Sequence, residues 1–331
     1  MTRVAMMGSG SWGTAFAAVL AEAGCDVTMW GRDSNIADSV NRSHVNEVYH
    51  PGVVLPENIK ATTDFRVALD CADIVVLAVP AQVLRENLLS WDHLCEASAI
   101  YVSLMKGIEL GTNLRMSQVI AEVTGASPDR IAVVSGPNLA KEIIAHQPSA
   151  TTVASESEAC AKKVQDACTT DYFRPYWTTD VVGTEIGGAV KNVIALANGI
   201  AVGMGLGENS QASLITRGLA EIARLGTALG ADPITFLGLA GVGDLVATCQ
   251  SPLSRNRTFG ENLGKGLSVA ETIAVTRQTC EAYKSCEPIL GLADDRNIEM
   301  PITYEVVQVL HHGKPPAMLL KSFMQRDTKA E

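Results

Sequence analysis

Short apolar runs of strand length alternate with helical stretches through the first half of the chain. Arg3–Met7, Val27–Trp30, Ile74–Val79, Ala99–Ser103 and Ile131–Ser135 are compact runs of this kind. Between the first two, Thr14–Ala23 places Phe16, Val19, Leu20 and Ala23 at helical spacing. Near-continuous apolar strands separated by helices predict a parallel sheet covered on both faces, a doubly wound α/β domain over residues 1–180. After Thr178-Thr179-Asp180 the strand-like runs stop. Val182–Gly203, Gln211–Leu229, Ser254–Gly264, Val269–Ala274, Cys280–Asp294 and Thr303–His311 all read as helices, so residues 181–331 are expected to form an all-α C-terminal domain. The polar end, Gln325–Glu331, is expected to fray.

The first strand runs into Gly8-Ser9-Gly10-Ser11-Trp12-Gly13, which opens the first helix. That spacing is the fingerprint of a dinucleotide-binding turn. Gly8 permits the tight bend, Gly10 lets the backbone approach a pyrophosphate, and Gly13 lets the helix pack on the strand. The helix start then offers free N–H groups and the positive end of its dipole. The N-terminal domain is therefore expected to be Rossmann-like. At the end of the second strand, where a carboxylate would hold the ribose 2′-hydroxyl of NAD, the chain reads Trp30-Gly31-Arg32-Asp33. Arg32 is placed to meet a 2′-phosphate, which favours NADP, while Asp33 keeps NAD open. An ordinary loop arginine is the alternative.

Bulk properties narrow the partners. The 331 residues are 47% hydrophobic and 19% charged, with a net charge of −10, so no general basic field exists for nucleic acid or an anionic membrane. An anionic ligand must be held by a local group of cations. The eight cysteines form no C-x-x-C pair and read as small buried residues of a reducing compartment. The histidines show no metal-binding spacing, and no metal is expected. Without a signal-like start or an apolar run approaching a membrane span, the expected location is the cytoplasm.

Four places carry candidate chemistry. Lys106, in Ser103-Leu104-Met105-Lys106-Gly107, follows a strand's carboxyl end, where ligands of open α/β sheets sit. Gly136 and Asn138, in the run Ser135–Glu142, follow another, and Asn138 is expected to cap the next helix, to face a ligand, or both. In the third, Gly241-Val242-Gly243-Asp244-Leu245 precedes Ser251–Arg257. Ser254 reads as an N-cap, which puts Arg255 and Asn256 in a first helical turn where a cation is unfavourable unless an anion neutralises it. Serine, arginine and asparagine with free N–H groups make a phosphate cradle. The fourth is Lys191, a single charge among Thr184, Gly188, Ala195 and Asn198, opposite an apolar stripe of Ile186, Val190, Val193, Ala197 and Ile200. A lone lysine among small residues points to a cavity wall, where burial would lower its pKa toward that of a proton donor. A snorkelling lysine is the alternative.

Taken together, GSGSWGTA, LMKGIE, SGPNLAKE, EIGGAVKNVIALANGIA and GVGDLVATCQSPLSRNRTFG resemble the bacterial NAD(P)-dependent glycerol-3-phosphate dehydrogenase family, from residue 8 to about 265. The resemblance implies reversible reduction of dihydroxyacetone phosphate to sn-glycerol 3-phosphate by NADPH or NADH, for glycerophospholipid synthesis. It implies Lys191 as the proton donor and acceptor at the substrate oxygen, and Lys106 as a bridge between nicotinamide and substrate. Gly136, Asn138, Asp244, Ser254, Arg255 and Asn256 match the family's substrate pocket, Arg255 also touching the cofactor. Ser11, Trp12, Arg32, Ala140 and Glu281 match cofactor positions, as do Asp33 and Tyr49.

The chain departs from the family pattern at Asn138, where Ser or Thr is usual, and at Thr279-Cys280-Glu281-Ala282, which stands for Val-Val-Glu-Gly. Val242 and His50 each replace a leucine. None of these removes a reacting group. A β-hydroxyacid or 6-phosphogluconate-type dehydrogenase, acting on a carboxylate, is the alternative enzyme; the Ser-Arg-Asn cradle speaks against it. A non-catalytic nicotinamide sensor is the alternative from outside enzymes. A homodimer is expected from the frequency of dimers among enzymes of this size.

Overall fold

A computed structural model of the chain describes residues 1–276 and 280–319. Thr279 and the polar end, 325–331, lie outside the described residues. The chain divides into two compact units: Met1–Lys106 with Leu114–Glu185, and Gly107–Asn113 with the chain from Ile186 on.

The first unit is a single sheet with helices. In chain order its elements are β1 (Arg3–Met7), α1 (Ser11–Glu22), β2 (Asp26–Trp30), α2 (Ser34–Ser43), β3 (Ile59–Thr62), α3 (Phe65–Leu69), β4 (Ile74–Leu77), α4 (Leu84–Trp91), β5 (Ile100–Ser103), α5 (Met116–Thr124), β6 (Ile131–Ser135), α6 (Ala140–Ile143), β7 (Ser149–Ala154), α7 (Glu158–Ala167) and β8 (Phe173–Thr178). The strand order is β3-β2-β1-β4-β5-β6-β7-β8. The strands pair in parallel except β6 with β7, so the sheet is parallel-dominated rather than wholly parallel. β3, β7 and β8 were not predicted. They are short or mixed in polarity, β3 and β8 form the two edges, and Pro175 on edge strand β8 weakens the strand signal further.

Alternate residues of the central strands enter two separate cores. Val4, Met6, Ile74, Val76 and Val102 join Phe16, Val27, Met29 and Phe173 on one side. Ala5, Met7, Val75, Leu77 and Tyr101 join Trp30, Leu84 and Trp91 on the other. Each fully buried side chain of this size contributes roughly 1.5–3 kcal/mol. This double burial is why the strands read as continuous apolar runs. β1 lies where the strand order reverses, flanked by β2 and β4, and the carboxyl ends of β1 and β4 define the crevice used by ligands in open α/β sheets.

α8 (Val181–Gly203) carries the chain into the second unit, which continues with α9 (Glu208–Ala228), a π-helical turn at Leu239–Gly243, α10 (Asp244–Gln250), α11 (Arg255–Gly264), α12 (Val269–Val275), α13 (Glu281–Asp294) and α14 (Pro301–His311). The described residues of this unit contain no strand. The π turn and α10 were not predicted, because their apolar positions span too few residues for a period to show. α8 and α11 meet backbone to backbone. A Cβ on Gly199 would run into the carbonyl oxygen of Arg257, and one on Gly260 into that of Leu196. Only glycine allows this approach. α8 is long and apolar enough to cross a membrane by composition, yet most of it is buried inside the protein.

All eight cysteines are free; most are buried as expected, but Cys71 is exposed.

Candidate active site

The first unit builds a dinucleotide turn in which the three glycines have different causes. A Cβ on Gly13 would collide with the Gly8 carbonyl, and Gly8 itself adopts φ +141° against Ala78. Both are demanded by the fold. Gly10 is not: it is the N-cap of α1 at φ −74°, and a Cβ there would meet nothing within 4 Å. The space it leaves open lies at a helix start that has no side-chain cap, the kind of place where backbone N–H groups can bind an anion. Beside it, Nε1 of Trp12 is buried without a hydrogen-bond partner. An open cradle and an orphaned donor both fit a bound dinucleotide.

Ser11 is the first residue of α1, and its carbonyl and hydroxyl lie 2.8 and 3.3 Å from Nε2 of His50. Tyr49 and Trp12 both pack, partly buried, against the core of this unit. Arg32 is exposed after β2 and carries no ion pair among the described residues. Asp33 caps α2 by accepting from the Asn35 N–H at 2.9 Å, so its carboxylate already has a structural task. At the carboxyl ends of β5 and β6, Lys106 and Gly136 are brought together: Lys106 Nζ donates to the Gly136 carbonyl at 2.8 Å. Asn138 does not cap α6, whose N-cap is Leu139. Its amide instead donates to Thr151 Oγ1 at 3.0 Å, leaving Oδ1 buried without a partner, like Ser135 Oγ nearby in sequence. Ala140 opens α6 itself.

The second unit gathers another group. Lys191 is 6% exposed on α8 and pairs with Asp244 Oδ1 at 2.9 Å. It also donates to Thr248 Oγ1 at 2.6 Å, and Thr248 donates in turn to Asp244 Oδ1 at 3.2 Å. The snorkelling alternative for Lys191 is thus removed, since its ammonium ends on buried partners. The π turn brings Asp244 there: Gly241 leaves the helical region (φ −104°, ψ −105°) and Asp244 opens α10. π turns inside helices recur at functional sites.

Ser254 caps α11, accepting from the Arg257 N–H at 3.2 Å, with Arg255 and Asn256 in the first turn as expected. Arg255 is exposed, whereas Asn256 is buried. Asn256 Nδ2 donates to Asn192 Oδ1 at 2.9 Å, and its Oδ1 accepts from the Ala282 N–H at 3.0 Å and the Cys280 thiol at 3.2 Å. Burial pushes the thiol of Cys280 up to about 12. Glu281 opens α13 with Oε2 buried and unpartnered, and burial raises its carboxyl against the charges of Lys284 and Arg255.

Asn192, Thr248 and Arg257 were missed in the sequence. Arg257 keeps Nε buried without a partner. Thr248 had a legible signal, four residues after Asp244 on one helix face. Asn192 had none beyond its place after Lys191.

Residues 3–161 match the NAD-dependent glycerol-3-phosphate dehydrogenase N-terminus and residues 180–321 its C-terminus. The chain belongs to the NAD-dependent glycerol-3-phosphate dehydrogenase family. Relatives in this family include the glycerol-3-phosphate dehydrogenase [NAD(P)+] of Streptomyces avermitilis, 60% identical over 99% of this chain and 98% of that one. That of Frankia casuarinae is 58% identical over 100% and 98%. Among solved structures, glycerol-3-phosphate dehydrogenase from Coxiella burnetii superposes with a TM-score of 0.93 at 36% identity, covering 98% of each chain. Membership of the NAD-dependent glycerol-3-phosphate dehydrogenase family sets aside the carboxylate-substrate alternative.

Proposed function

We propose that Lys191 is the acid–base residue of an NAD- or NADP-dependent glycerol-3-phosphate dehydrogenase, and that Ser254, Arg255 and Asn256 hold the substrate phosphate. The reaction is that of the family: dihydroxyacetone phosphate, NAD(P)H and a proton give sn-glycerol 3-phosphate and NAD(P)+. When bound, the reduced nicotinamide supplies the hydride that adds to the ketone carbon. The α1 N-terminus, Gly8, Gly10, Ser11, Trp12 and Gly13 receive the dinucleotide, with Arg32, Asp33, Tyr49, Lys106, Ala140, Arg255 and Glu281 as further cofactor contacts.

The observation that carries this reading is the Lys191–Asp244–Thr248 group. Hydride addition places negative charge on the ketone oxygen, and a fixed ammonium neutralises it by donating a proton. Asp244 and Thr248 hold Nζ in one position. The terminal phosphate is anchored by Arg255 and the α11 N-terminus, so binding energy distant from the carbonyl orients it. Lys106, Gly136 and Asn138 complete the substrate contacts. Lys191→Ala is expected to lower kcat by roughly 10²–10⁴ with the cofactor Kd unchanged. Turnover near the wild-type rate would remove Lys191 from the chemistry.

Residues 1–180 serve as the dinucleotide domain and residues 181–331 as the substrate domain in this reading, with phospholipid precursor supply in the cytoplasm as its setting. A homodimer is the assembly consistent with a chain of this size, and light scattering on the purified protein tests it.

A further inference from the structure

The segment after α2 supports the dinucleotide turn from beneath. It is closed by a bridge between Val45 and Val54. Asn46 Nδ2 donates to the Ser9 carbonyl at 3.1 Å and to Thr14 Oγ1 at 2.8 Å. His50, 3% exposed, reaches the Ser11 carbonyl at 2.8 Å and its hydroxyl at 3.3 Å. A carbonyl oxygen only accepts, so Nε2 carries the hydrogen and Nδ1 is the nitrogen left to take up a proton.

We propose that His50 is a positioning residue that holds Ser11 in the dinucleotide turn and couples cofactor binding to proton uptake. The proposal rests on α1 as the seat of the cofactor diphosphate. The groups facing the ring set its starting state. From α1 it meets only the carbonyl and hydroxyl of Ser11, with no acidic residue in that first turn. From α6 the charge is Lys141; on its own segment the Asn46 carbonyl accepts from the backbone N–H of His50 and not from the ring. Burial lowers the pKa of the ring below its ordinary value; the hydrogen bond to Ser11 opposes this and Lys141 adds to it. The ring is therefore neutral in the free protein near neutral pH.

Binding a diphosphate at the start of α1 reverses that balance, because nearby negative charge favours the imidazolium. A proton from solvent then joins Nδ1, and linkage requires the cofactor to bind more tightly as the pH falls. Each tenfold rise in proton affinity on binding gives up to about tenfold in Kd.

Calorimetry with ADP-ribose tests this, since that probe has the diphosphate without the titrating 2′-phosphate of NADP. Titrations of the whole protein at pH ~6.5, in buffers of different ionisation heat, read proton uptake directly. Wild type is expected to take up a fraction of a proton and to bind several-fold more tightly at pH ~6 than at pH ~8. His50→Gln keeps an N–H donor for the Ser11 carbonyl but cannot become charged, and it is expected to bind with no such uptake. Equal uptake in His50→Gln, or binding by wild type without uptake, overturns the proposal alone. Failure of wild type to bind ADP-ribose at either pH overturns the reading of α1 and this proposal with it. If the variant does not fold, the imidazole NMR titration of wild type decides: the His50 midpoint rises when ADP-ribose is added, and an unmoved midpoint refutes the coupling.

Discussion

Asn256 donates an amide hydrogen to the side-chain oxygen of Asn192 across 2.9 Å, joining the first turn of α11 to the residue that follows Lys191. The proposed phosphate cradle and the proposed proton donor are thus tied within one unit by a buried hydrogen bond. Asn256 is fixed from its other end as well, by the Ala282 N–H next to Glu281. One asparagine therefore sets the spacing between α8, α11 and the start of α13. In the proposed binding mode, that spacing sets the distance from a phosphate on α11 to Lys191.

Arg255→Ala tests the cradle. Arg255 is exposed, in the first turn of a helix that offers the same charge sign through its dipole. A bound phosphate relieves that conflict, so the loss should appear in substrate binding. Removing a hydrogen bond to a charged group costs about 1.5–3 kcal/mol, roughly 10- to 150-fold in kcat/KM for dihydroxyacetone phosphate. Initial rates at saturating cofactor check it, and an unchanged substrate KM would exclude the contact.

The two turn glycines should separate fold from function. Gly13→Ala places a Cβ against the Gly8 carbonyl and is expected to destabilise the first unit. Gly10→Ala puts its Cβ into open space at an ordinary φ of −74°, so stability should be kept. What Gly10→Ala loses is close approach of the pyrophosphate to the backbone, at about tenfold or more in cofactor Kd. Thermal unfolding paired with cofactor titration reads both variants.

Much of this was legible in advance because function and fold left separate marks. The central strands could be read because double burial makes them apolar on both faces, whereas β7, with Ser149, Thr151 and Thr152, and the edge strand β8, with Arg174 and Pro175, could not. Gly10, Lys191 and the first-turn cation Arg255 each depart from a local preference without the fold requiring it. Asn138 misled: a polar residue ahead of a helix suggests a cap, but its amide turned to Thr151. Asp33 had the opposite fate, being a cap where a ribose ligand was considered. Asn192 was invisible because its value lies in a partner 64 residues away, whereas Thr248, whose lysine partner is 57 residues away, showed only in its helical spacing from Asp244.

Gly260→Ala probes the close crossing of α8 and α11. Its Cβ would strike the Leu196 carbonyl, and the mirrored contact of Gly199 with Arg257 leaves the helices no direction in which to slide. Overpacking of this kind costs roughly 1–3 kcal/mol, more where backbone must move. A lower urea midpoint together with a raised substrate KM is expected, because separating the helices stretches the Asn192–Asn256 bond. A variant as stable and active as wild type would show that the crossing has slack.

Glu221 gives the second unit a pH dependence of unusual sign. It is buried on α9, and its oxygens accept from the Ile302 N–H at 2.6 Å and from the Thr303 N–H and hydroxyl, each at 3.2 Å. It therefore caps α14, whose own N-cap residue, Met300, makes no side-chain cap. Burial pushes its carboxyl from an ordinary 4.5 up to about 7, outweighing those hydrogen bonds and the charge of Arg224. The folded state then holds the proton more tightly than the unfolded chain. Stability from the neutral acid is complete below pH 4.5 and lost as the pH rises through about 7. Urea midpoints of wild type and Glu221→Gln across that window isolate the effect, because every other group titrates in both. The wild type should lose stability relative to the variant with rising pH. If it gains instead, the three donors, and not burial, decide the charge of Glu221.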